Sequence, residues 1–579
     1  MEKKYSSEKN VQLVISLLKA HGIRKIVASP GTTNITLVGS LMHDSFFQII
    51  SSVDERSAAY IACGMADTSN EPVVLTCTGA TASRNYLPGL TEAFYRKLPI
   101  LAITSTREEY KIGHLIDQQI DRSQQPKDAV VCSEHLPLIK DEEDIWNCTI
   151  KINRAILALK NNGGGPAHIN LPTRYSSDFS VKELPKVRKI ERYFLYDSFP
   201  KIETNRDLAI FIGTHKKMTQ RENDAIDLFC QKYNGVVFCD ICSGYRGKYG
   251  LPMFGLGEFL NVDLLIHIGE VSCVAYGCKP KEVWRVSEDG ELRDTFRVLT
   301  KVFAMPEYLF FEKFVESKNV SDTSKYFKCK SIQDVAYKEI KELPFCNNWI
   351  AQYMYDKIPH NSLLHLGIVS SFFAWSRFRL HPSIDVYCNQ GGFSIDGNIS
   401  TILGQALVNP KRIHFLMIGD LAFFYDMNTL GNRFFPANIR ILLVNNGCGV
   451  IFRKHSNIGS IFGDEANAYI AAAGHYGNMS PTLVKAFVSA LGFEYIPIHS
   501  KDDLKQNLSH FLDESTLEKP IVMEAFIDVR DEINGESLSK PSGLKGTINK
   551  IIGDKAYNSL KNVLNSGKVM MNVDNSNNK

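Results

Sequence analysis

The sequence predicts an α/β protein of three domains, each a mostly parallel sheet flanked by helices. Three observations carry that expectation. Short apolar runs alternate with stretches of helical periodicity along most of the chain. Many of the runs are apolar at every position, as strands buried on both faces are. The length, 579 residues, accommodates three or four domains.

In the first block, Asn10 is placed to cap a helix whose apolar face is Val11, Val14, Leu17 and Leu18, with Gly22 at its end. Strands are expected at Ile26–Ser29, Ile49–Val53, Glu71–Cys77, Pro99–Thr104 and Ala167–Pro172. Asp54-Glu55-Arg56 stands where the second of these turns into a helix of small residues, and a carboxylate there can cap the helix and favour its positive end. Val181–Arg192, charged and proline-containing, reads as a linker. A second block has strands at Leu208–Gly213, Val236–Cys239 and Val262–Gly269. The third begins near Asn347 and holds apolar runs at Leu363–Gly367, Ile413–Ile418 and Ile439–Val444. The expected domains are 1–180, 193–335 and 345–565, with a disordered Asn-, Ser- and Lys-rich tail at 566–579.

Composition excludes several classes. Hydrophobic content of 44% and charged content of 22% are ordinary for a globular protein. A net charge of +3, from 66 basic and 63 acidic residues, gives no field for nucleic acid or an acidic membrane. No uncharged apolar stretch is long enough to span a bilayer, and the polar start Met1–Tyr5 leads into an amphipathic helix, not a signal sequence. Thirteen scattered cysteines point to no disulfide framework. A cytoplasmic location is expected. The one CxxC, Cys239–Cys242, lacks the second pair that a zinc site needs.

Chemistry is carried by two motifs in the third block. Gly419-Asp420-Leu421-Ala422 and Asn445-Asn446-Gly447-Cys448-Gly449 each follow an apolar run, with Asp420 and Asn446 26 positions apart. In parallel sheets, ligands bind at strand ends. A carboxylate and a carboxamide on neighbouring strands offer two hard oxygens to a Mg2+-sized cation. Glycines beside them let backbone approach a phosphate. The pair is therefore read as a site for a metal-bound diphosphate.

So spaced, the motifs resemble the signature of thiamine diphosphate (ThDP) enzymes, GDG followed by NN, with Leu421 in place of the usual glycine. The likeness is to the MenD-like branch of the 2-oxo acid decarboxylases and carboligases and extends over most of the chain. Ser29-Pro30-Gly31, Asp54-Glu55-Arg56-Ser57 and the stretch Thr78–Asn85 match its first domain, and Asn389–Gly397 matches its NRGxxGIDG stretch. The resemblance implies ThDP with Mg2+ (or Mn2+) as cofactors, a pyrimidine-binding first domain and a diphosphate-binding third domain. Glu55 is implied as the catalytic acid beside the aminopyrimidine, assisted by an apolar pocket. Gly31, Thr78, Ile395, Asp396, Gly397, Gly419, Leu421 and Ala422 are implied to line the cofactor, with Ile395 wedged under it. Asp420, Asn446 and the carbonyl of Cys448 become metal ligands. Because this family builds its site across an interface, a homodimer or a dimer of dimers follows.

Family arginines suited to clamping carboxylates are absent: Thr33 and Gln390 replace two, and Gly367–Phe373 carries no basic residue. Arg107, Gln118, Thr33, Gln390 and His455 are the candidate substrate contacts. His114, His455 and His475 are candidates for proton transfer, His455 first because it follows the metal motif; Arg453 and Lys454 read as solvated charges. The expected function is decarboxylation of a 2-oxo acid with transfer of the acyl unit to an acceptor, the substrates less acidic than those of the MenD-like enzymes. Simple decarboxylation, an acetolactate synthase-like flavin enzyme and a non-catalytic binding protein are the alternatives.

Overall fold

The computed structural model describes residues 4–122, 125–203, 205–253, 262–274, 279–315, 323–338, 340, 342–476, 479–515 and 518–539. The tail expected to be disordered lies outside them. The chain forms two compact units, residues 1–198 with 290–304 and residues 199–289 with 305–579.

The first unit is built on strands β1 (Lys25–Ala28), β2 (Gln48–Ser51), β3 (Val73–Cys77), β4 (Ile100–Thr106), β5 (Cys132–His135) and β6 (Ala167–Pro172). They run in the order β2-β1-β3-β4-β6-β5, all parallel. Alternate residues of each strand feed opposite faces. Ile26, Val74, Leu101 and Ile103 join a core with helix Lys9–Ala20, while Val27, Leu75, Ile100 and Ala102 join another with helix Glu55–Ser69. The small residues of Glu55–Ser69 serve close packing: a Cβ on Gly89 of helix Leu87–Arg96 would lie 2.4 Å from the Ala59 Cβ.

Asn10 does not cap the first helix. Glu8 precedes that helix, and Asn10, buried, donates from Nδ2 to the Pro172 carbonyl at 2.7 Å. Val181–Arg192 is likewise no free linker. Tyr5 N–H bonds the Val181 carbonyl at 3.0 Å, Ile190 is buried, and Arg188 pairs with Asp294 at 2.7 Å. The segment ends inside strand β7 (Glu191–Phe194).

In the second unit, β8 (Leu208–Ile212), β9 (Val236–Cys239), β10 (Gly250–Pro252), β11 (Leu264–Ile268) and β12 (Glu282–Ser287) run β10-β9-β8-β11-β12. Strand β13 (Leu299–Ala304) belongs to the first unit and pairs there in parallel with β7. The last sheet holds β14 (Leu363–Leu366), β15 (Asp385–Tyr387), β16 (His414–Gly419), β17 (Ile439–Asn445), β18 (Glu494–Ile498) and β19 (Ile521–Phe526). Its order, β15-β14-β16-β17-β19-β18, repeats that of the first sheet strand for strand, and every pairing is parallel. Both sheets reverse their winding beside their first strand, so each has a crevice between the carboxyl ends of its first and third strands. The sequence motifs fall at those crevices.

Candidate functional site

In the first unit the crevice lies between β1 and β3. Gly31 sits at the exit of β1, and a Cβ there would lie 2.6 Å from the Thr78 Cβ, so only glycine lets the two loops meet. The Thr33 hydroxyl hydrogen-bonds that of Thr78, donates to the Ser105 carbonyl (3.2 Å) and accepts from Gly79 N–H (3.2 Å). Thr33 is 2% exposed. Through these bonds it braces the crevice. Ala80, in the loop after β3, has φ +55°, a conformation that L-residues reach only under strain and that concentrates at functional sites.

Glu55 opens helix Glu55–Ser69, with Asp54 as its cap accepting from Ser57 N–H at 3.0 Å. The Glu55 side chain is half-buried, and its Oε2 accepts one long bond from Asn85 Nδ2 at 3.4 Å. Most of its lone pairs are thus available to a donor outside the chain. Arg56 stays exposed near Asp54 at 3.9 Å. Arg107 is held by both oxygens of Asp117 (3.2 and 3.0 Å) and donates from Nε to the Tyr175 hydroxyl (2.9 Å). Gln118 is exposed with φ +56°, and His114 is exposed in the same loop.

In the second unit the crevice lies between β14 and β16, with β17 alongside. Asp420 follows Gly419 at the end of β16 and is 5% exposed. Its Oδ1 accepts from Leu421 N–H (2.7 Å), and its Oδ2 from the N–H groups of Asn446 (3.1 Å) and Gly447 (2.6 Å). One carboxylate thereby joins the two motifs. Burial pushes its carboxyl up to about 6, against backbone bonds that pull it down. Gly447 has φ +74°, which turns its N–H toward the carboxylate. Asn446, 6% exposed, accepts only weakly at Oδ1, from Cys448 N–H at 3.4 Å and the Cys448 thiol at 3.7 Å. The Cys448 carbonyl accepts from Val450 N–H at 2.9 Å and keeps a second lone pair.

Ile395 is half-buried against the core formed by Ile399, Ile418 and Phe423. Asp396 is exposed and bonded to the Ser394 hydroxyl, and Gly397 takes φ +68° at the start of helix Asn398–Val408. Leu421 and Ala422 lie in the first turn of the helix after β16.

Gln390, the other candidate contact at a family arginine position, is bonded inside its unit. It is 1% exposed, its Oε1 accepts from Cys273 N–H (3.0 Å), and its Nε2 donates to both oxygens of Asp240 (3.1 and 3.2 Å). Its side chain is engaged within the unit. Lys454 is not a solvated charge: it is 7% exposed, 3.6 Å from Glu532. Arg453 bonds Asp464 and Asn467. His455 and His475 are exposed. Burial pushes the Cys239 thiol up to about 12 and raises that of Cys242 well above its ordinary value, so neither is a ready thiolate. Every described cysteine is free.

Two features escaped sequence reading. Val369, just past β14, has φ +68°, an outlier for a β-branched residue; nothing local in sequence marks it. Asn445 is the second. Its Nδ2 donates to Glu524 Oε1 (2.7 Å), its Oδ1 accepts from Gly447 N–H (3.2 Å), and Tyr495 donates to Glu524 Oε2 (2.8 Å). Glu524 is fully buried, and burial holds its carboxyl above the usual range. In sequence Asn445 stands out only as the first residue of its motif, and Glu524 as a lone glutamate inside an apolar run.

Among the described residues, no three His, Cys, Asp or Glu side chains could together hold a metal. One carboxylate, one carboxamide and one backbone carbonyl are nevertheless the hard oxygen set that Mg2+ takes alongside phosphate oxygens.

Comparison with known proteins gives the family. Residues 9–125 match the family described as thiamine pyrophosphate enzyme, N-terminal TPP binding domain. A 2-succinyl-5-enolpyruvyl-6-hydroxy-3-cyclohexene-1-carboxylate synthase of Phocaeicola vulgatus is 31% identical over 90% of this chain and 96% of its own length. Synthases of the same name from Bacteroides fragilis (30%, over 90% and 96%) and Porphyromonas gingivalis (27%, over 78% and 85%) are similar in the same way.

Proposed function

The chain belongs to the 2-succinyl-5-enolpyruvyl-6-hydroxy-3-cyclohexene-1-carboxylate synthase family of ThDP-dependent enzymes, and from that premise we propose that it decarboxylates a 2-oxo acid less acidic than 2-oxoglutarate and transfers the acyl unit to an acceptor. When bound, ThDP supplies the electron sink that lets the acid lose CO2.

The chain's own residues divide the remaining work. Asp420, Asn446 and the Cys448 carbonyl hold Mg2+, or Mn2+, against the diphosphate. The donor set supports this, as does a buried carboxylate whose ionised form gains from a cation. Gly419, Leu421, Ala422, Ile395, Asp396 and Gly397 line that half of the cofactor. Glu55 holds a proton at the pyrimidine half, next to Gly31 and Thr78. The two halves come from different copies of a homodimer. Apolar side chains left in solvent beside Glu55, Val53 at 81%, Tyr60 at 48% and Ile61 at 40% exposure, suit a face that a second copy covers. Among the described residues no helix is long and apolar enough to cross a membrane, and free cysteines suit the cytoplasm.

One observation carries the substrate reading. Thr33 and Gln390, which stand where the family has arginines, are buried and engaged internally, so neither position offers a guanidinium to a second carboxylate. Each lost charged hydrogen bond removes roughly 1.5–3 kcal/mol. Steady-state rates with pyruvate and with 2-oxoglutarate test it, each with an aldehyde and with isochorismate as acceptor. We expect kcat/KM for pyruvate to exceed that for 2-oxoglutarate at least tenfold. A preference for 2-oxoglutarate with isochorismate would return the enzyme to the reaction in its relatives' name.

A further inference from the structure

The second unit also holds a cavity whose lining contains none of the candidate cofactor or metal residues. It is bounded by the carboxyl ends of β9 and β10 and by the segment 376–386 that leads into β15. Its enclosed space is small, about 70 Å³, and it opens to solvent on one side. Leu251, Phe378, Ile384 and Val386 give it apolar walls.

Two guanidinium groups border this space, and neither has a carboxylate partner among the described residues. Arg246 donates to the carbonyls of Tyr245 (2.8 Å) and Ile384 (3.0 Å), and its Nε is buried without a partner. Arg379, at the exposed mouth, donates to the Tyr326 hydroxyl (3.3 Å) and the Gly247 carbonyl (3.2 Å). The acids within reach are engaged elsewhere. Asp240 is 0% exposed and accepts from Cys242 N–H (2.7 Å), the Ser272 hydroxyl (2.6 Å) and Gln390. Asp385 is held by Arg412 at 2.7 Å and Lys217 at 3.0 Å. The Ser376 hydroxyl lines the same cavity, 3% exposed and without a hydrogen-bond partner. Buried donors left unpaired in a native fold call for an explanation, and two cations with an unpartnered hydroxyl are completed by an anion.

We propose that this cavity binds a small organic anion, a carboxylate or phosphate ester on a compact apolar body, with its charged end at Arg246, Arg379 and Ser376 and its body against Leu251 and Phe378.

Calorimetric titration of the full-length, ThDP- and Mg2+-loaded protein tests it, using benzoate, phenyl phosphate, inorganic phosphate and benzyl alcohol as probes. Benzoate or phenyl phosphate is expected to bind saturably at millimolar concentration or below, whichever is tighter identifying the headgroup. Inorganic phosphate and the neutral alcohol are expected to bind at least tenfold more weakly. The double substitution Arg246→Gln/Arg379→Gln should weaken the organic anion at least tenfold. Val386→Trp, which fills the cavity from an apolar wall and keeps both charges, should do the same, so either variant decides if the other does not fold. Unchanged affinity in a folded variant, equal binding of benzyl alcohol, or no saturable binding of either organic anion overturns the proposal. The readout is binding, so it is independent of which 2-oxo acid the enzyme uses.

Discussion

Glu55 has a single long hydrogen bond from Asn85, so its carboxyl can share a proton with a donor outside the chain without breaking a structural contact. Glu55→Gln should therefore leave folding intact by circular dichroism while lowering kcat by 10²–10⁴, the usual worth of a positioned acid or base; turnover within threefold of the parent would remove Glu55 from its role. Asn445 is the opposite case, a side chain that acts through its neighbours. Asn445→Ala would free the Gly447 N–H from one acceptor and leave Glu524 with Tyr495 alone. We expect Mg2+ affinity by calorimetry to fall roughly tenfold, as for residues that orient metal ligands, with kcat recovered at saturating Mg2+. A purely structural role would instead lower the melting temperature and leave the Mg2+ titration unchanged. Asp420 and Asn446 could be picked out in sequence because each follows a strand at a telling separation. The burial of Thr33 and Gln390 could not, because it depends on partners distant in the chain: Thr78 for the first, Asp240 for the second.

Most strands found in sequence are apolar central ones, such as β3, β4, β16 and β17, although the exposed edge strand β2 was found and the buried β19, with Glu524 in its middle, was not. The strands missed lie largely at sheet edges: β5, β15 and β18 are short, and each has partly buried or exposed positions. Apolar periodicity fades where one side of a strand has no neighbour. Helix starts were harder still, since Asn10 is a cap-type residue whose partner lies at Pro172, beyond any local pattern. One element-level feature gives a pH dependence. His168 on β6 is buried between the Thr104 hydroxyl at Nε2 (2.7 Å) and the Ser133 hydroxyl at Nδ1 (3.0 Å). Burial holds its imidazole down to about 3, from 6.5. The unfolded chain protonates this histidine first as pH falls, so its contribution is fully present above 6.5 and is lost between 6.5 and 3. The loss is about 1.4 kcal/mol per pH unit. Urea unfolding at pH 7, 6, 5 and 4 should show that slope reduced in His168→Gln relative to the parent; identical slopes would mean that the ring is already charged in the fold.

The first and last sheets share one strand order, so the molecule contains the same architecture twice, with a crevice at equivalent strand ends in each. One crevice carries an acid and no candidate metal ligand; the other carries the metal set and no residue matching Glu55. On the function proposed above, a complete cofactor site pairs a crevice of each kind from two copies, and a closed two-fold dimer would supply two such pairs. Tyr60 and Ile61 stand exposed on the helix that Glu55 begins, so replacing both by lysine should break the pairing without touching either ligand set. Analytical ultracentrifugation of the parent should give twice the 65.1 kDa chain mass, or a multiple of that dimer. The double variant should sediment as the single chain. ThDP uptake in the presence of Mg2+ should fall with dissociation, at least tenfold at equal chain concentration, because each separated chain holds only half of every site. A monomeric variant that binds ThDP as tightly as the parent would show that one chain suffices, and a parent that is dimeric yet takes up no ThDP with Mg2+ would remove the cofactor from both crevices.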